Sequence, residues 1–315
     1  MALAACGGTA NDAASSAGTP TTRANGTTTV EITTIPASTT TVTPTTVEVS
    51  AVSSDSSTHA SGSPSGTYDV NGHELTLQCE GSGSPTVILE GGTGAPINAM
   101  SALQDRLATE HMTCAYERAA VTEARTFGDA NADLHNLLVA AQVPGPVVLV
   151  GQSVGGDLVQ LYARTYPDEV AGVISMNSGP PCGPWLAALP QLGNDSLLAG
   201  EQANCADSRG GGDRFDLNAS YVEEQAAPAP PDIPLELVIS TVDGDWCPPS
   251  ANRPDPFASQ EQCHAAYAIH EQIARDIVSQ WTKGNFSEID APHEIYSTQL
   301  DAISELVENV IARTD

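Results

Sequence analysis

From residue 67 onward, short apolar runs alternate with segments whose apolar residues recur at helical spacing. The apolar runs predict buried strands over 86–90, 112–116, 147–150, 170–176, 235–240 and 286–290. Two more strands form a predicted hairpin over 68–79, because Asn71-Gly72 is a strong turn pattern between alternating runs. Helices are predicted between the strands, over 99–110, 133–141, 157–166, 262–282 and 298–312. This alternation predicts an α/β fold, with a mostly parallel eight-stranded sheet flanked by helices.

Residues 179–232 interrupt that alternation, because the segment is rich in proline and glycine. Its leucines and Trp185 offer apolar side chains to line a pocket. We interpret the segment as a small lid insertion over a site on the sheet. The alternative is that its leucines only pack the insertion onto the body.

The first 66 residues are dominated by Thr, Ser, Ala, Pro and Gly. Such a segment buries too little apolar surface to offset its ordering entropy. We therefore predict a disordered tether over 1–66 and an ordered domain over 67–315. Near the start, Leu3-Ala-Ala-Cys6 resembles the lipobox of bacterial lipoproteins, in which the cysteine is lipidated. The charged and apolar parts of a signal peptide do not precede it, so we expect a truncated signal.

The chain carries 39 acidic and 11 basic side chains, a formal net charge of −28. A chain of this charge cannot neutralise a run of phosphates, which excludes nucleic acid as the expected partner. No apolar run reaches the roughly 18 residues of a membrane span. The expected membrane attachment is therefore a lipid anchor at Cys6 alone, and the sequence predicts no particular oligomeric state.

The predicted strand over 147–150 runs directly into Gly151-Gln-Ser153-Val-Gly155, which matches the Gly-x-Ser-x-Gly turn between a strand and a helix. Such a turn pushes the serine hydroxyl outward, and glycines two residues to either side avoid clashes there. The first N–H groups of the next helix would favour negative charge beside the serine. Ser153 is therefore the candidate nucleophile.

Three runs together carry the longest resemblance to a known protein family. They are Asp133-Leu-His-Asn-Leu-Leu, residues 145–156 and residues 166–172. On these residues the chain from 67 onward resembles the α/β-hydrolase superfamily of esterases and lipases. It departs from the family pattern twice. Gln152 stands where histidine is usual, and the usual glycines are missing after Tyr116-Glu-Arg118. Because that loop borders the pocket, the substrate range is not expected to follow that of typical relatives.

The resemblance implies a catalytic triad in the chain order Ser, Asp or Glu, then His. His293 follows the last predicted strand and is the expected general base. The acid is expected in the loop after the strand over 235–240, with Asp243 preferred and Asp245 the runner-up. The superfamily's other acid position holds Asn177, whose amide cannot balance an imidazolium.

The resemblance also implies two backbone donors for an oxyanion, from Val154 and from Thr93 in the glycine-rich loop Gly91–Gly94. A plain flexible turn is the alternative for that loop. Neither a metal nor an organic cofactor is expected.

Besides Cys6 the chain has six cysteines, an even number that suits an oxidising compartment. They are not arranged as Cys-x-x-Cys, which argues against a metal site. Placed on the implied fold, the pairs fall on neighbouring strands, within the insertion, and around the loop of the expected acid. The expected disulfides are Cys79–Cys114, Cys182–Cys205 and Cys247–Cys263.

These residues together predict an extracellular, lipid-anchored serine hydrolase that cleaves small carboxylic esters. One alternative is a serine peptidase or amidase, because the fold alone does not separate the two activities. Another is a cell-surface binding lipoprotein whose catalytic site has decayed. Gln152 and the altered loop over 119–124 favour that second alternative.

Overall fold

The computed structural model describes residues 63–247 and 256–314. Residues 1–62, which hold most of the predicted tether and Cys6, lie outside the described residues. The strands of the described residues are β1 Gly66–Val70, β2 His73–Glu80, β3 Val87–Glu90, β4 Thr113–Tyr116, β5 Val147–Gln152, β6 Val170–Met176, β7 Ser208–Gly210, β8 Asp213–Phe215, β9 Pro234–Ser240 and β10 Lys283–Ile289.

The helices of the described residues alternate with these strands. They are α1 Ser101–Leu107, α2 Phe127–Ala140, α3 Val154–Thr165, α4 Cys182–Ala188, α5 Asp195–Ala206, α6 Leu217–Ala226, α7 Gln260–Val278, α8 Ile295–Thr298 and α9 Leu300–Ile311. None of these helices is both long enough and apolar enough to cross a membrane.

Eight strands form one sheet in the order β1-β2-β4-β3-β5-β6-β9-β10. The β1–β2 and β2–β4 pairs are antiparallel, and all the remaining pairs of this sheet are parallel. Asn71 and Gly72 turn the first hairpin with φ values of 54° and 84°, as the Asn-Gly pattern requires. The predicted mostly parallel eight-stranded sheet is therefore confirmed.

Strand β5 lies at the centre of the sheet, and all six of its residues are buried. Its side chains point alternately to the two faces. Leu149 belongs to the cluster that includes Leu134 of α2 and Tyr162 of α3. Val148 and Val150 belong to the opposite cluster, with residues of α1 and α9. Burial on both faces explains the uninterrupted apolar run and holds the carboxyl end of β5 in place.

The insertion over 179–232 contains α4, α5, the β7–β8 hairpin and α6. Leu189 and Leu197 are buried in the main core cluster, so these leucines pack the insertion onto the body. Trp185 is also buried, and its ring meets Trp246 edge-on at a centroid distance of 5.9 Å. The insertion is thus packed against the region of the chain that follows β9.

The largest difference from a predicted helix boundary is at the start of α2. Helix α2 begins at Phe127, six residues before the predicted start, because Thr126 and Asp129 form a capping box around its first turn. The predicted last helix, 298–312, corresponds to α9. Gln299, whose φ of −124° and ψ of 42° are not helical, separates it from the short α8.

Three disulfides join the predicted pairs of cysteines. Cys79 and Cys114 lie directly opposite each other in the β2–β4 register. Cys182 and Cys205 join α4 to α5 inside the insertion, and Cys247 and Cys263 join the segment after β9 to α7.

Candidate active site

Ser153 occupies a sharp turn between the central strand β5 and helix α3. Its φ of 54° and ψ of −127° are unfavourable for any residue other than glycine. The turn is fixed to the neighbouring strand β6, because the Ser153 amide donates to the carbonyl oxygen of Met176 at 2.8 Å. The strained turn presents Ser153 to a cavity at the carboxyl end of the sheet.

The two glycines of the motif allow this turn to close. A Cβ added to Gly151 would lie 2.1 Å from the carbonyl oxygen of Gly155. A Cβ added to Gly155 would lie 2.3 Å from the carbonyl oxygen of Glu90 in β3. Both distances are far inside van der Waals contact, so strand, turn and helix can approach this closely only where side chains are absent.

His293 lies in the loop after β10, and its Nδ1 is 3.2 Å from Oδ2 of Asp245. Asp245 belongs to a single π-helical turn, Val242–Trp246, which follows β9. The runner-up of the sequence prediction is therefore the carboxylate that meets the histidine. The side chain of Asp243, the preferred residue, lies outside what the structure describes. The wide turn adds residues before the point that faces His293, which a count from Pro234 does not anticipate.

The surroundings of Asp245 favour its ionised form. Burial opposes the charge, but the hydrogen bond from His293 and the positive charge of a protonated His293 favour it. The pKa of Asp245 is accordingly below its ordinary value. A carboxylate that stays ionised at neutral pH can orient an imidazole and stabilise its protonated form.

Asn177, at the end of β6, touches both members of this pair. Its Nδ2 is 3.3 Å from Oδ2 of Asp245 and 3.2 Å from the carbonyl oxygen of His293. Its Oδ1 accepts a hydrogen bond from the Ser240 amide at 2.9 Å. Sequence reasoning treated Asn177 only as a missing acid, and its bridging contacts depend on a fold that no local pattern encodes.

The expected oxyanion donors lie beside Ser153. Val154 is the first residue of α3, so its amide has no partner inside the helix. Thr93 lines the same cavity as Ser153 and His293. A Cβ added to Gly92 would lie 3.2 Å from Cβ of Ser153, so the glycine-rich loop passes directly beside Ser153. The structure thus brings four of the predicted residues to one cavity, namely Thr93, Ser153, Val154 and His293.

Residues of the body and of the insertion both line this cavity. Its large aromatic side chains come from α2, α4, α6 and the turn after β9, and are Phe127, Trp185, Tyr221 and Trp246. A cavity lined by aromatic side chains together with polar groups such as Ser153 and His293 is a common form of small-molecule site.

Three carboxyl groups also line the cavity, those of Asp157, Glu201 and Glu224. Among the described lining residues there is neither lysine nor arginine. Burial raises the pKa of Glu224 to about 7, with Arg164 opposing that effect. Burial and the nearby charge of Glu224 raise the pKa of Asp157 as well. The cavity is therefore acidic, and sequence reasoning had identified none of these three groups.

Comparison with known proteins agrees with this fold. Residues 67–206 match a family model described as the alpha/beta hydrolase fold. A thermophilic esterase from Thermogutta terrifontis superposes with a TM-score of 0.51 at 14% identity, covering 79% of this chain and 98% of the esterase. The chain has the α/β-hydrolase fold. The sequence has no match among curated proteins.

Two other solved structures share the α/β-hydrolase fold with this chain. The enol-lactonase from Burkholderia xenovorans LB400 superposes with a TM-score of 0.52 at 15% identity, covering 78% of this chain and all of the lactonase (100%). A hydrolase from Pseudomonas aeruginosa gives 0.51 at 16% identity, covering 78% and 98%. At these identities the two comparisons show a shared fold.

The α/β-hydrolase family match ends at residue 206, before Asp245 and His293. That match therefore does not extend to these two residues, which meet through the loops after β9 and β10. Among the described residues, no three His, Cys, Asp or Glu side chains come together as a metal site would require.

Proposed function

We propose that this protein is a serine hydrolase that cleaves carboxylic esters through an acyl-enzyme formed on Ser153. One observation carries the proposal. Ser153 sits in the strained turn at the start of α3 and shares a cavity with His293, whose Nδ1 contacts Asp245. A nucleophile, a base and a carboxylate that orients the base are the parts that acyl transfer to serine requires.

In the first half of the reaction, Oγ of Ser153 attacks the carbonyl carbon of the ester while its proton passes to Nε2 of His293. The carbonyl π electrons move onto oxygen, and the oxyanion accepts hydrogen bonds from the amides of Val154 and Thr93. Collapse of this intermediate breaks the bond to the alcohol oxygen. The alcohol leaves with the proton that His293 returns.

In the second half, a water molecule takes the place of the alcohol. His293 accepts a proton from the water as its oxygen attacks the acyl carbon, and the same amides stabilise the second oxyanion. Breaking the bond to Oγ then releases the carboxylic acid, and His293 returns the proton to Ser153. Asp245 stays ionised throughout, and holds His293 in the tautomer with a proton on Nδ1.

Steady-state hydrolysis of short p-nitrophenyl esters tests the proposal. The wild-type protein is expected to turn over these esters, and Ser153→Ala and His293→Ala are each expected to lower kcat by roughly a thousandfold or more. Aminoacyl anilides provide the comparison substrates, since faster turnover of the anilides would favour a peptidase or amidase instead. Equal rates for wild type and Ser153→Ala would reject a mechanism through this serine.

We also propose that the enzyme acts outside the cell, attached by a lipid at Cys6. The three disulfides support an oxidising compartment. Incorporation of a labelled fatty acid into the full chain, lost in Cys6→Ala, tests the anchor. Wild-type protein without label would reject it and leave the esterase proposal untouched.

A further inference from the structure

Arg118 lies buried beneath the glycine-rich loop Gly91–Gly94, which we call the oxyanion loop. Its Nη1 donates to the carbonyl oxygen of Gly91 at 2.6 Å, and its Nη2 donates to that of Gly92. The same guanidinium pairs with Glu90, the last residue of β3. Arg118 therefore fixes the backbone that directly precedes Thr93.

Asp213, at the start of β8 in the insertion, meets both Arg118 and the oxyanion loop. Its Oδ2 accepts from Nη2 and Nε of Arg118 at 2.7 and 3.1 Å, and from the Gly94 amide at 2.9 Å. Its Oδ1 accepts from Nη2 of Arg125 at 3.1 Å. Asp213 is buried, and although burial opposes its charge, Arg118 lowers the pKa of Asp213 below its ordinary value. Its carboxylate is thus a charged clamp on the residue that follows Thr93.

The hairpin that carries Asp213 packs against the oxyanion loop, backbone to backbone. A Cβ added to Gly94 would lie 2.3 Å from the carbonyl carbon of Gly210. A Cβ added to Gly210 would lie 2.8 Å from Cγ2 of Thr93. The hairpin therefore restricts the movement of Thr93.

The same hairpin braces the loop in which this chain departs from its family. The Val121 amide donates to the carbonyl oxygen of Gly212 at 2.9 Å, and the Arg125 amide donates to that of Arg214 at 3.0 Å. A Cβ added to Gly212 would lie 2.7 Å from Cβ of Ala120. The glycines that allow close approach here belong to the insertion and not to the loop after β4.

We propose that Asp213 is a positioning residue for the oxyanion hole, through which the insertion sets the place of the Thr93 amide. The proposal rests on the proposed ester hydrolysis. Asp213 touches no reacting atom, since it acts through Arg118 and the Gly94 amide. A displacement of roughly 1 Å in a catalytic group can lower the rate about a hundredfold. Loss of the Asp213 contacts is therefore expected to slow the reaction.

The experiment compares an ester with its thionoester, in which sulfur replaces the carbonyl oxygen. Sulfur accepts hydrogen bonds weakly, so the oxyanion donors contribute less to turnover of the thionoester. The ratio of kcat/KM for the ester to kcat/KM for the thionoester therefore reports what these donors contribute. Loss of folded protein lowers both rates equally and cancels in the ratio. In Asp213→Asn, the ratio is expected to fall by roughly tenfold or more relative to wild type.

Gly210→Ala provides a second variant, because it crowds Thr93 and leaves every buried charge in place. It is expected to lower the ratio as well, even if Asp213→Asn folds poorly. Two variants serve as controls. Gly200→Ala lies in α5 with no described atom within 4 Å of its added Cβ. Asp207→Asn removes the charge of a carboxylate that pairs with Arg214 at 3.0 Å.

Both controls are expected to keep the wild-type ratio. An unchanged ratio in Gly210→Ala, together with an unchanged ratio in any folded Asp213→Asn, overturns the inference and leaves the proposed function standing. A wild-type protein that hydrolyses neither substrate rejects the proposed function itself, and this inference with it.

Discussion

Oδ2 of Asp245 lies 3.2 Å from Nδ1 of His293, across 48 residues of sequence. The contact makes Asp245, rather than its neighbour Asp243, the residue expected to orient the base. In Asp245→Asn an amide faces the imidazole and favours the wrong tautomer, so kcat is expected to fall by roughly 10³- to 10⁴-fold. Steady-state hydrolysis of a p-nitrophenyl ester measures the change.

Asp243→Asn is the matched control, since it makes the same chemical change two residues away. It is expected to lower kcat by less than about tenfold. The opposite ranking of the two variants would return the acid role to Asp243.

Asn177 offers a second position for the acid, because its Nδ2 lies 3.2 Å from Nδ1 of His293. In the double variant Asn177→Asp with Asp245→Asn, a carboxylate again faces the imidazole, from β6 in place of the turn after β9. We expect kcat to recover by at least roughly tenfold over Asp245→Asn alone. Asn177→Ala with Asp245→Asn controls for the loss of the asparagine, and equal activity in the two double variants would contradict the geometry.

The sheet could be predicted from the sequence because each strand carries its own pattern. Buried parallel strands such as β5 are continuous apolar runs, and the β1–β2 turn contains Asn71-Gly72. Ser153 could be predicted for a similar reason, since its motif is contained within five residues. The pairing of Cys79 with Cys114 could be predicted once the sheet order was assumed, because the two residues lie on neighbouring strands.

The remaining features depend on contacts between distant residues. Asp245 faces His293 from a π-helical turn, two residues after the position that counting along the sequence prefers. The clamp of Asp213 on Arg118 spans 95 residues and joins the insertion to a loop of the body. No periodicity links two such segments, so their partnership becomes visible only when the chain is folded.

Gly155→Ala tests the tight closure of the turn at Ser153. Its new Cβ would lie 2.3 Å from the carbonyl oxygen of Glu90, which forces β3 and α3 apart. The free energy of unfolding, measured by urea denaturation, is expected to fall by about 1–3 kcal/mol or more. Gly179→Ala is the control, with no described atom within 4 Å of its added Cβ, and is expected to change stability by less than about 0.5 kcal/mol. Similar losses in both variants would indicate that close packing at Gly155 is not the cause.

Glu224 predicts a pH dependence of stability. Burial raises its pKa to about 7 in the folded protein, so the folded state binds more protons than the unfolded state between about 4.5 and about 7. Stability is therefore lost as the pH rises through that range. Glu224→Gln removes the titrating group, and is expected to raise the free energy of unfolding by about 1–3 kcal/mol more at pH 8 than at pH 4.

Urea denaturation at the two pH values measures that difference. Glu305→Gln, at an exposed position on α9, makes the same substitution away from the cavity. It is expected to change stability equally at pH 4 and pH 8. A Glu224→Gln effect that is also independent of pH would show that the carboxyl does not titrate between these values.

The central claim is that Ser153 is an activated nucleophile, and covalent labelling tests it most directly. A fluorophosphonate forms a stable bond to a serine oxygen only where a base accepts the hydroxyl proton and donors stabilise the phosphoryl oxygen. After treatment of the wild-type protein, mass spectrometry is expected to find one adduct, located on Ser153, and to find none in Ser153→Ala. An unmodified wild-type protein, or an adduct that persists in Ser153→Ala, would contradict the account.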